Sequence, residues 1–584
     1  MFDRIVYISN NGANVKIKEG QELSTNIMNM HVVFEDEKKK ILGEVDDIDG
    51  QIVKINFLGE LEPDRFVVGV IRKPNLDAKV RLVTPEEMKL IVGDETQGTM
   101  ELGKSPLYDS CPVRVNVNEL FSNHMAIFGN SGGGKSCGVT RLIQNVFSSP
   151  TFVPFRSNFF IFDSSGEYLN AFKDISSINN NFNYKFYSTN YQPGVYELKL
   201  PIWLCNVDDL CLLLGVNSHS QIPIIERMHK LARIFRQGDV NTNEYKNHII
   251  AKAIMTTLYS NETSTSKRND IFSIIASCST EEFNQEATVQ GIGYTRKFRE
   301  LFLIDNEGQF SESVLLNKYV SSFIKPELDN FEPDAKVFYT LDDLEKALNF
   351  TLISEGWLRN EATYGDAVTV KVRLHALITG PYSKFFDCRT YMTEDQFIAG
   401  LIMMPDGTHK AQIININLED VDDSFAKTIT KIYSRILFEF CKGLKDRGSL
   451  PFNILLEEAH RYIQADTDTF ILGYNIFDRI AKEGRKYGII LSLISQRPVD
   501  ISDTVIAQCA NFLIFKMNHP RDLDYIQKMV PNISEEIIEK LKTLQPGTCM
   551  AFGTAFRIPM IVRMDMPNPA PKSANVDVYN KWKT

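Results

Sequence analysis

The clearest chemical motif in the chain is Gly129-Asn130-Ser131-Gly132-Gly133-Gly134-Lys135-Ser136. A glycine, four residues and then Gly-Lys-Ser is the pattern of a nucleotide-phosphate loop. Glycines let backbone N–H groups turn toward phosphate oxygens, and the helix that follows adds the positive end of its dipole. The lysine can reach the β- and γ-phosphates, and the serine hydroxyl can ligate Mg²⁺. The motif therefore predicts a binding site for ATP or GTP.

The residues around the loop predict the elements that must position it. The apolar run His124–Phe128 indicates a strand before the loop. After the loop, Val139, Leu142, Ile143 and Val146 fall on one face of a predicted helix. A glycine-rich turn that happens to precede a lysine is the alternative interpretation. The strand and helix on either side favour the phosphate loop.

A phosphate loop needs acidic partners for Mg²⁺ and for the attacking water, and two predicted strand ends offer them. One is Asp163, which ends an apolar run and is followed by Glu167. The other is the pair Glu457 and Glu458, directly after the apolar run 452–456. Ligands bind at the C-terminal ends of parallel strands, so both places are suitable. In the pair, we expect Glu457 to hold the water shell of the metal and Glu458 to polarise the attacking water.

Each of these acids also has a purely structural interpretation. Asp163 fits a turn residue at the end of a strand as well as it fits a ligand. The pair Glu457-Glu458 could supply favourable charge at a helix N-terminus. Two adjacent carboxylates after a buried strand favour a catalytic role for the pair, whereas the local sequence leaves Asp163 open.

Two more motifs lie close to the acid pair. Ser495-Gln496-Arg497-Pro498 follows the next predicted strand, where a glutamine can sense the γ-phosphate. Glu483–Gly488, which contains Arg485, is compatible with an ordinary basic helix C-terminus. It is also compatible with an arginine presented to the nucleotide of an adjacent subunit.

Composition limits the remaining possibilities. The 584 residues suggest about three or four domains, and 43% hydrophobic with 24% charged residues is typical of a globular protein. A net charge of −10 excludes attraction to nucleic acid by global charge, but not a basic channel. Nine cysteines without a Cys-x-x-Cys pair argue against disulfides and zinc. The absence of a signal peptide or membrane-length apolar run predicts a cytoplasmic protein with no membrane partner.

Patterning along the chain predicts an α/β protein with a parallel sheet. Short alternating strands come first, then buried strands that alternate with helices, with a helical block between them. Residues 98–112, rich in Gly, Pro and Ser, look like a linker. The predicted regions are a small β-barrel (1–105), an ATPase core (106–200 and 396–566), an inserted helical subdomain (201–395) and an extended C-terminal tail (567–584).

Six ordered motifs together resemble the HerA family of hexameric DNA-translocating ATPases, which are related to FtsK. They are residues 124–129, the phosphate loop, Asp163–Tyr168, Glu457–Tyr462, Glu483–Gly488 and Ser495–Pro498. The resemblance implies a RecA-like core, a homo-hexameric ring, double-stranded DNA in the central pore, and ATP with Mg²⁺. It also fits the small N-terminal barrel and the helical insertion.

The resemblance carries roles over to matching residues. Glu458 is implied to be catalytic, Glu457 and Asp163 to support the metal side, and Gln496 to sense the γ-phosphate. The implied catalytic set is Glu458, Glu457, Gln496 and Arg485, and the implied metal set is Ser136 and Glu457. The implied nucleotide-binding set is Gly129, Ser131, Gly132, Gly133, Gly134, Lys135, Ser136, Cys137, Asp163 and Glu167.

One position departs from the family pattern. Asn123 stands where relatives often have an arginine that reaches the neighbouring subunit. Arg485, Arg479 or another residue is left as the candidate arginine finger.

Partners are predicted from the resemblance alone. Members of the family work with a nuclease, or in bacterial anti-phage loci with an effector such as a sirtuin-like NADase, and we expect it to dock on the N-terminal barrel face. An ATP-gated scaffold with little translocation is the alternative to a motor. A small-molecule kinase or GTPase is disfavoured because the chain lacks an Asn-Lys-x-Asp guanine motif.

Overall fold

The computed structural model describes residues 1–18, 26–36, 39–108, 110–331, 338–358, 361–464, 468–530, 533, 535–573 and 578–583. Parts of the predicted barrel, insertion and tail lie outside these ranges. The described residues form two compact units. The first lies within Met1–Glu197, Phe397–Ala465 and Ile476–Thr584, and the second within Leu198–Gln396 and Asp466–Asn475.

The first unit begins with a seven-stranded antiparallel sheet. Its strands are β1 (Phe2–Ile8), β2 (Gly12–Ile17), β3 (His31–Glu35), β4 (Lys40–Asp49), β5 (Ile52–Leu61), β6 (Phe66–Val68) and β7 (Lys79–Leu82). The order is β1-β2-β5-β4-β3-β7, and β6 pairs with β5. Alternate residues such as Val15, Val53 and Ile55 form its core. In the described residues β1 and β7 do not pair, so the sheet is a half-barrel, which supports the predicted small β-barrel in part.

A twelve-stranded sheet forms the centre of the first unit. Its order is β13-β12-β16-β11-β17-β18-β10-β19-β20-β21-β8-β9, and the strands from β13 to β19 are parallel. The strands are β8 (Thr99–Ser105), β9 (Cys111–Asn116), β10 (Met125–Phe128), β11 (Phe159–Asp163), β12 (Tyr184–Ser188), β13 (Tyr196–Glu197), β16 (Ile413–Asn417), β17 (Phe452–Glu457), β18 (Ile489–Ser495), β19 (Asn511–Phe515), β20 (Thr548–Gly553) and β21 (Met560–Arg563). The central strands are buried at every residue, which confirms the predicted parallel α/β core.

The prediction of a linker over residues 98–112 is wrong. Strands β8 and β9 fall there, and β8 joins the large sheet by pairing Lys104 with Arg563. Proline and glycine suggested a linker, but Pro112 lies on β9, the edge strand, where the lack of an N–H group is tolerated. The last strand of the region predicted as barrel therefore belongs to the core sheet, which is mixed rather than wholly parallel.

Helices of the first unit connect and flank these strands. In α3 the predicted face of Val139, Leu142, Ile143 and Val146 is buried. The helices are α1 (Pro85–Val92), α2 (Val117–Phe121), α3 (Lys135–Phe147), α4 (Leu169–Phe172), α13 (Asp423–Gly443), α15 (Ile476–Glu483), α16 (Asp503–Ile506), α17 (Pro520–Met529), α18 (Glu535–Thr543) and α19 (Val578–Lys583).

The second unit is mainly helical. Its helices are α5 (Val207–Leu213), α6 (Ile222–Arg236), α7 (Val240–Leu258), α8 (Ser264–Ser277), α9 (Ser313–Ser321), α10 (Leu341–Ser354), α11 (Glu361–Thr379) and α14 (Asp468–Leu472), and α12 (Glu394–Ile402) contains a boundary between the units. A hairpin of β14 (Thr288–Gln290) and β15 (Thr295–Lys297) interrupts them. Across the described part of the chain, no helix combines the length and apolar character needed to cross a membrane.

The C-terminal segment lies against α3 of its own chain. The Gln144 side chain accepts a hydrogen bond from Asn568 N at 3.1 Å and donates one to Pro569 O at 2.8 Å. Further along, Lys572 N donates to Glu167 O at 2.9 Å. The helix α19 was not predicted within the extended tail of residues 567–584, of which 574–577 and 584 lie outside the described residues.

Candidate nucleotide-binding site

The phosphate loop joins the C-terminal end of β10 to the N-terminus of α3. Gly134 is the N-cap of α3 and has a φ of 94°, and a Cβ atom there would lie 2.6 Å from Gly547 N. Glycine is therefore required at this position. No side chain caps the helix, so its first N–H groups are available to an anion.

Three strand ends surround the loop. Strand β18 lies between β10 and β17, and β17 also pairs with β11. The register places Phe128 beside Ser495 and Glu457 beside Ile494, so these strands end at nearly the same level. Three segments follow the strands: the Asp163 turn (Asp163–Tyr168) after β11, the acid turn (Glu457–His460) after β17 and the sensor turn (Ser495–Pro498) after β18.

Side chains of the loop, the acid turn and the sensor turn contact one another. Lys135 Nζ lies 3.3 Å from Glu458 Oε1, and Gln496 Nε2 donates to the same oxygen at 2.5 Å. Gln496 Oε1 accepts a hydrogen bond from Ser131 Oγ at 2.5 Å. The structure thus brings together Ser131, Lys135, Glu458 and Gln496, all of which the sequence predicted as site residues.

Burial shifts the protonation of the charged groups. Glu457 is 2% exposed, and burial first, then the neighbouring Asp163 and Glu167 carboxylates, raise its pKa well above the usual value. Burial also raises the pKa of Glu167, although the hydrogen bond with Ser136 acts to lower it. Burial lowers the pKa of Lys135, and the nearby carboxylate of Glu458 opposes this shift. The site concentrates acidic groups around one lysine, which suits a cation and a polyphosphate bound together.

Free carboxylate oxygens indicate which metal fits. In the described residues, Glu167 Oε2, Glu457 Oε2 and Glu458 Oε2 are buried and accept no hydrogen bond. Carboxylate and hydroxyl oxygens are ligands that Mg²⁺ prefers. Within the same ranges, no group of three or more His, Cys, Asp or Glu residues is arranged to hold a metal ion. Mg²⁺ keeps several waters and takes few protein ligands beside substrate phosphates, so the three glutamate oxygens named above fit it.

Asp163 has a different environment. It is fully buried, and its carboxylate accepts hydrogen bonds from Ser165 N, Glu167 N and Tyr168 N at 3.0–3.3 Å and from Asn415 Nδ2 at 3.2 Å. Three of these bonds hold the Asp163 turn, which positions Glu167, and the fourth joins Asp163 to β16. The local sequence left turn and ligand open: the bonds support the turn role, and a role at the nucleotide stays a prediction.

Two features of the acid turn did not follow from the sequence. Glu458 has a φ of 49° and a ψ of 50°, a left-handed conformation that is uncommon for a residue with a side chain and often marks functional sites. His460 Nδ1 lies 3.0 Å from Ser495 Oγ and 3.3 Å from Glu458 Oε2. His460 belongs to a motif already singled out, but no spacing rule in the sequence pairs it with Ser495.

The remaining predicted residues lie elsewhere. Arg485 is exposed and lies close to His124, at the end of β10 opposite the phosphate loop. Burial, and then the charge of Arg485, lower the pKa of His124. Asn123 is buried and donates to Glu119 O at 2.8 Å, and Arg479 lies 3.4 Å from Glu439. Cys137 Sγ lies 3.9 Å from Ser573 Oγ, at the tail. The structure does not bring Arg485 to the nucleotide site of its own chain.

The chain is similar to several known proteins. Residues 100–292 match the family described as helicase HerA, central domain. The chain is 25% identical over 533 residues to the DNA double-strand break repair helicase HerA of Sulfurisphaera tokodaii, covering 88% of this chain and 79% of that protein. It is 20% identical over 526 residues to the protein of the same name from Pyrococcus furiosus, covering 90% and 78%. The solved plasmid coupling protein TrwB is similar with a TM-score of 0.44 and 11% identity, over 83% of this chain and 93% of that one.

Proposed function

Because the chain belongs to the HerA helicase family, we propose that it hydrolyses ATP with Mg²⁺ and uses the energy to move along double-stranded DNA. The observation that carries the proposal is the contact between Lys135 of the phosphate loop, Glu458 of the acid turn and Gln496 of the sensor turn. A cation for the phosphates, a base for water and a γ-phosphate sensor are the parts that phosphoryl transfer requires.

Each residue has a role that its position supports. Lys135, only 5% exposed, would hold the β- and γ-phosphates beside the N-terminus of α3, which has no side-chain cap. Ser136 and the free oxygens of Glu167 and Glu457 are the groups that would hold Mg²⁺ or its waters. The metal supplies positive charge that neutralises the phosphates. Glu458 would orient the attacking water and accept its proton.

The proposed assembly is a ring of six subunits with DNA in its pore. Arg485 supports this because it lies exposed at the sheet edge opposite its own phosphate loop, where it could reach the nucleotide of a neighbour. An arginine added in trans stabilises charge in the transition state. Neighbouring subunits would then complete each other's active sites, with Arg485 as our candidate finger.

A partner enzyme, either a nuclease or an NADase-type effector, is proposed to bind the N-terminal half-barrel. Large apolar side chains are exposed on this half-barrel and its connections, which is typical of protein-binding surfaces. They are Val6, Tyr7, Val68, Ile71 and Leu76. The proposed setting is anti-phage defence in the cytoplasm, and DNA repair is the alternative that the names of the relatives favour. In the part of the chain that the structure describes, none of the nine cysteines forms a disulfide, which suits a reducing compartment.

The test is the ATPase rate of the purified chain with and without linear double-stranded DNA. We expect DNA to raise the rate, and Lys135→Ala to abolish it under both conditions. Lys173→Ala, which removes an exposed lysine of the same unit, is the matched control and should behave as wild type. A rate that is indifferent to DNA would contradict the motor and favour an ATP-gated scaffold.

A further inference from the structure

Two connections join the acid turn to the sensor turn. In the first, Glu458 Oε1 accepts a hydrogen bond from Gln496 Nε2 at 2.5 Å. In the second, His460 Nδ1 contacts Ser495 Oγ at 3.0 Å. Glu458 and His460 are two residues apart in one turn, and Ser495 and Gln496 are adjacent in the other. The acid turn and the sensor turn are therefore joined at two points, one of which is the proposed base itself.

His460 also faces Glu458 directly. Its Nδ1 atom lies 3.3 Å from Glu458 Oε2, an oxygen that accepts no hydrogen bond from any described residue. An ionised carboxylate oxygen can only accept, so Glu458 Oε2 favours a proton on Nδ1, and Ser495 Oγ is compatible with this tautomer because a hydroxyl can accept as well as donate. The imidazole N–H group then lies between the proposed base and the first residue of the sensor turn.

From this geometry we propose that His460 is a positioning residue for ATP hydrolysis, which holds Glu458 Oε2 in place and fixes the acid turn to the sensor turn through Ser495. The proposal rests on the proposed ATPase function and extends it to a residue outside the nucleotide contacts. Glu458 needs such support because its backbone is in the left-handed region and its Oε1 is shared by Lys135 and Gln496. Without His460, Oε2 could rotate toward the lysine.

The contact network also explains why Ser495 is the partner. Ser495 Oγ accepts a hydrogen bond from Arg497 N at 3.0 Å, which fixes the start of the sensor turn. The Ser495 backbone carbonyl accepts a hydrogen bond from Gly129 N at 3.3 Å, at the start of the phosphate loop. A tie from His460 to Ser495 therefore connects the proposed base to the loop that binds the phosphates. A small displacement at such a site reduces the rate more than the affinity.

The experiment compares His460→Ala, His460→Asn and Ser495→Ala in the full-length chain. For His460→Ala we expect kcat to fall roughly 10- to 100-fold, with little change in the Kd of a non-hydrolysable ATP analogue or in Tm. Asparagine can place an amide N–H near the position of Nδ1, so His460→Asn should restore much of the rate. Ser495→Ala also removes the hydrogen bond from Arg497 N, so the double variant His460→Ala/Ser495→Ala can be slower than either single variant. Its loss in kcat should still be smaller than the product of the two single losses, because both changes remove the contact between His460 and Ser495.

The control is His409→Ala, which removes an exposed histidine paired with Asp406 in the same unit and should leave kcat unchanged. An unchanged kcat in His460→Ala would overturn the proposal. So would a joint loss of kcat, analogue binding and Tm that His460→Asn does not repair, because that pattern indicates a structural role. Failure of the proposed ATPase function would be seen separately, as hydrolysis by the wild type that Lys135→Ala does not abolish.

Discussion

Asp163 ends strand β11 and Glu457 ends the adjacent strand β17, so two buried carboxyl groups lie at one edge of the same sheet. Asp163 accepts three hydrogen bonds from its own turn and a fourth from the Asn415 side chain on β16. Glu457 and its neighbour Glu458 each keep an oxygen that accepts none from the described residues. Similar strand ends thus differ in what their oxygens are free to do. Unsatisfied buried carboxylates are costly to folding, so the oxygens of Glu457, Glu458 and Glu167 that accept no hydrogen bond from the described residues point to chemistry beside these turns, whereas Asp163 itself is satisfied.

The largest effect should come from Glu458→Gln, which tests the proposed catalytic role of the acid turn. The amide keeps the shape of the side chain but cannot accept a proton from water. We expect kcat to fall roughly 10³-fold, or about 4 kcal/mol in the barrier, while ATP binding persists. Single-turnover hydrolysis and a binding assay measure the two quantities. Glu86→Gln, on the exposed face of α1, is the control and should behave as wild type. Near-normal turnover in Glu458→Gln would show that Glu458 is not the catalytic base.

The second largest effect should come from Asp163→Asn, which tests the structural role of Asp163 in its turn. An amide cannot accept all four hydrogen bonds, so at least one buried N–H group loses its partner. We expect a loss of about 2–3 kcal/mol in the free energy of unfolding, measured by denaturant titration. Asp174→Asn, at an exposed acid, should cost little. If Asp163→Asn instead left stability intact and abolished hydrolysis, Asp163 would have a role in chemistry, as the acid turn does, rather than a structural role.

These comparisons also show how far the sequence could predict the structure. The phosphate loop, its strand and its helix were predicted because their pattern is local, and so were the buried strands that end in Asp163 and Glu457. The roles of the two acids were less accessible, because the hydrogen bonds of Asp163 include one from Asn415, about 250 residues away in the chain. The contact between His460 and Ser495 joins residues that are 35 apart in the chain, so no local pattern predicts it either.

Long-range pairing accounts for the errors in the fold as well. Residues 98–112 carry the glycine and prolines of a linker, but β8 finds a partner in β21 near the other end of the chain. Composition does not report such a partner. The half-barrel was predicted more closely because its strands alternate apolar and polar residues and mostly pair with near neighbours in sequence, whereas its incomplete closure depends on the geometry of β1 and β7.

A smaller effect concerns how pH acts on the acid turn. The pKa of Glu457 is raised well above its ordinary value of 4.5, chiefly by burial, so the folded protein holds a proton there that the unfolded chain releases. That contribution to stability is complete below the unfolded pKa and is lost as pH rises through the folded one. In EDTA and without nucleotide, we therefore expect the Tm of wild type, measured relative to that of Glu457→Gln, to fall as pH rises above 4.5. A difference in Tm between the two proteins that does not change with pH would contradict a raised pKa of Glu457.

The smallest effect should come from the tail, which contacts the Asp163 turn through Lys572 N and Glu167 O. Gln144→Ala removes both hydrogen bonds that hold Asn568 and Pro569 on α3, at a cost of about 1–2 kcal/mol locally. We expect faster proteolysis within residues 567–573, with kcat changed less than about threefold, because the acid and sensor turns keep their contacts. Ending the chain after Met566 should change kcat by a similarly small factor. A loss of hydrolysis as large as that of Glu458→Gln would mean that the Asp163 turn, and the tail that lies on it, take part in chemistry rather than in support.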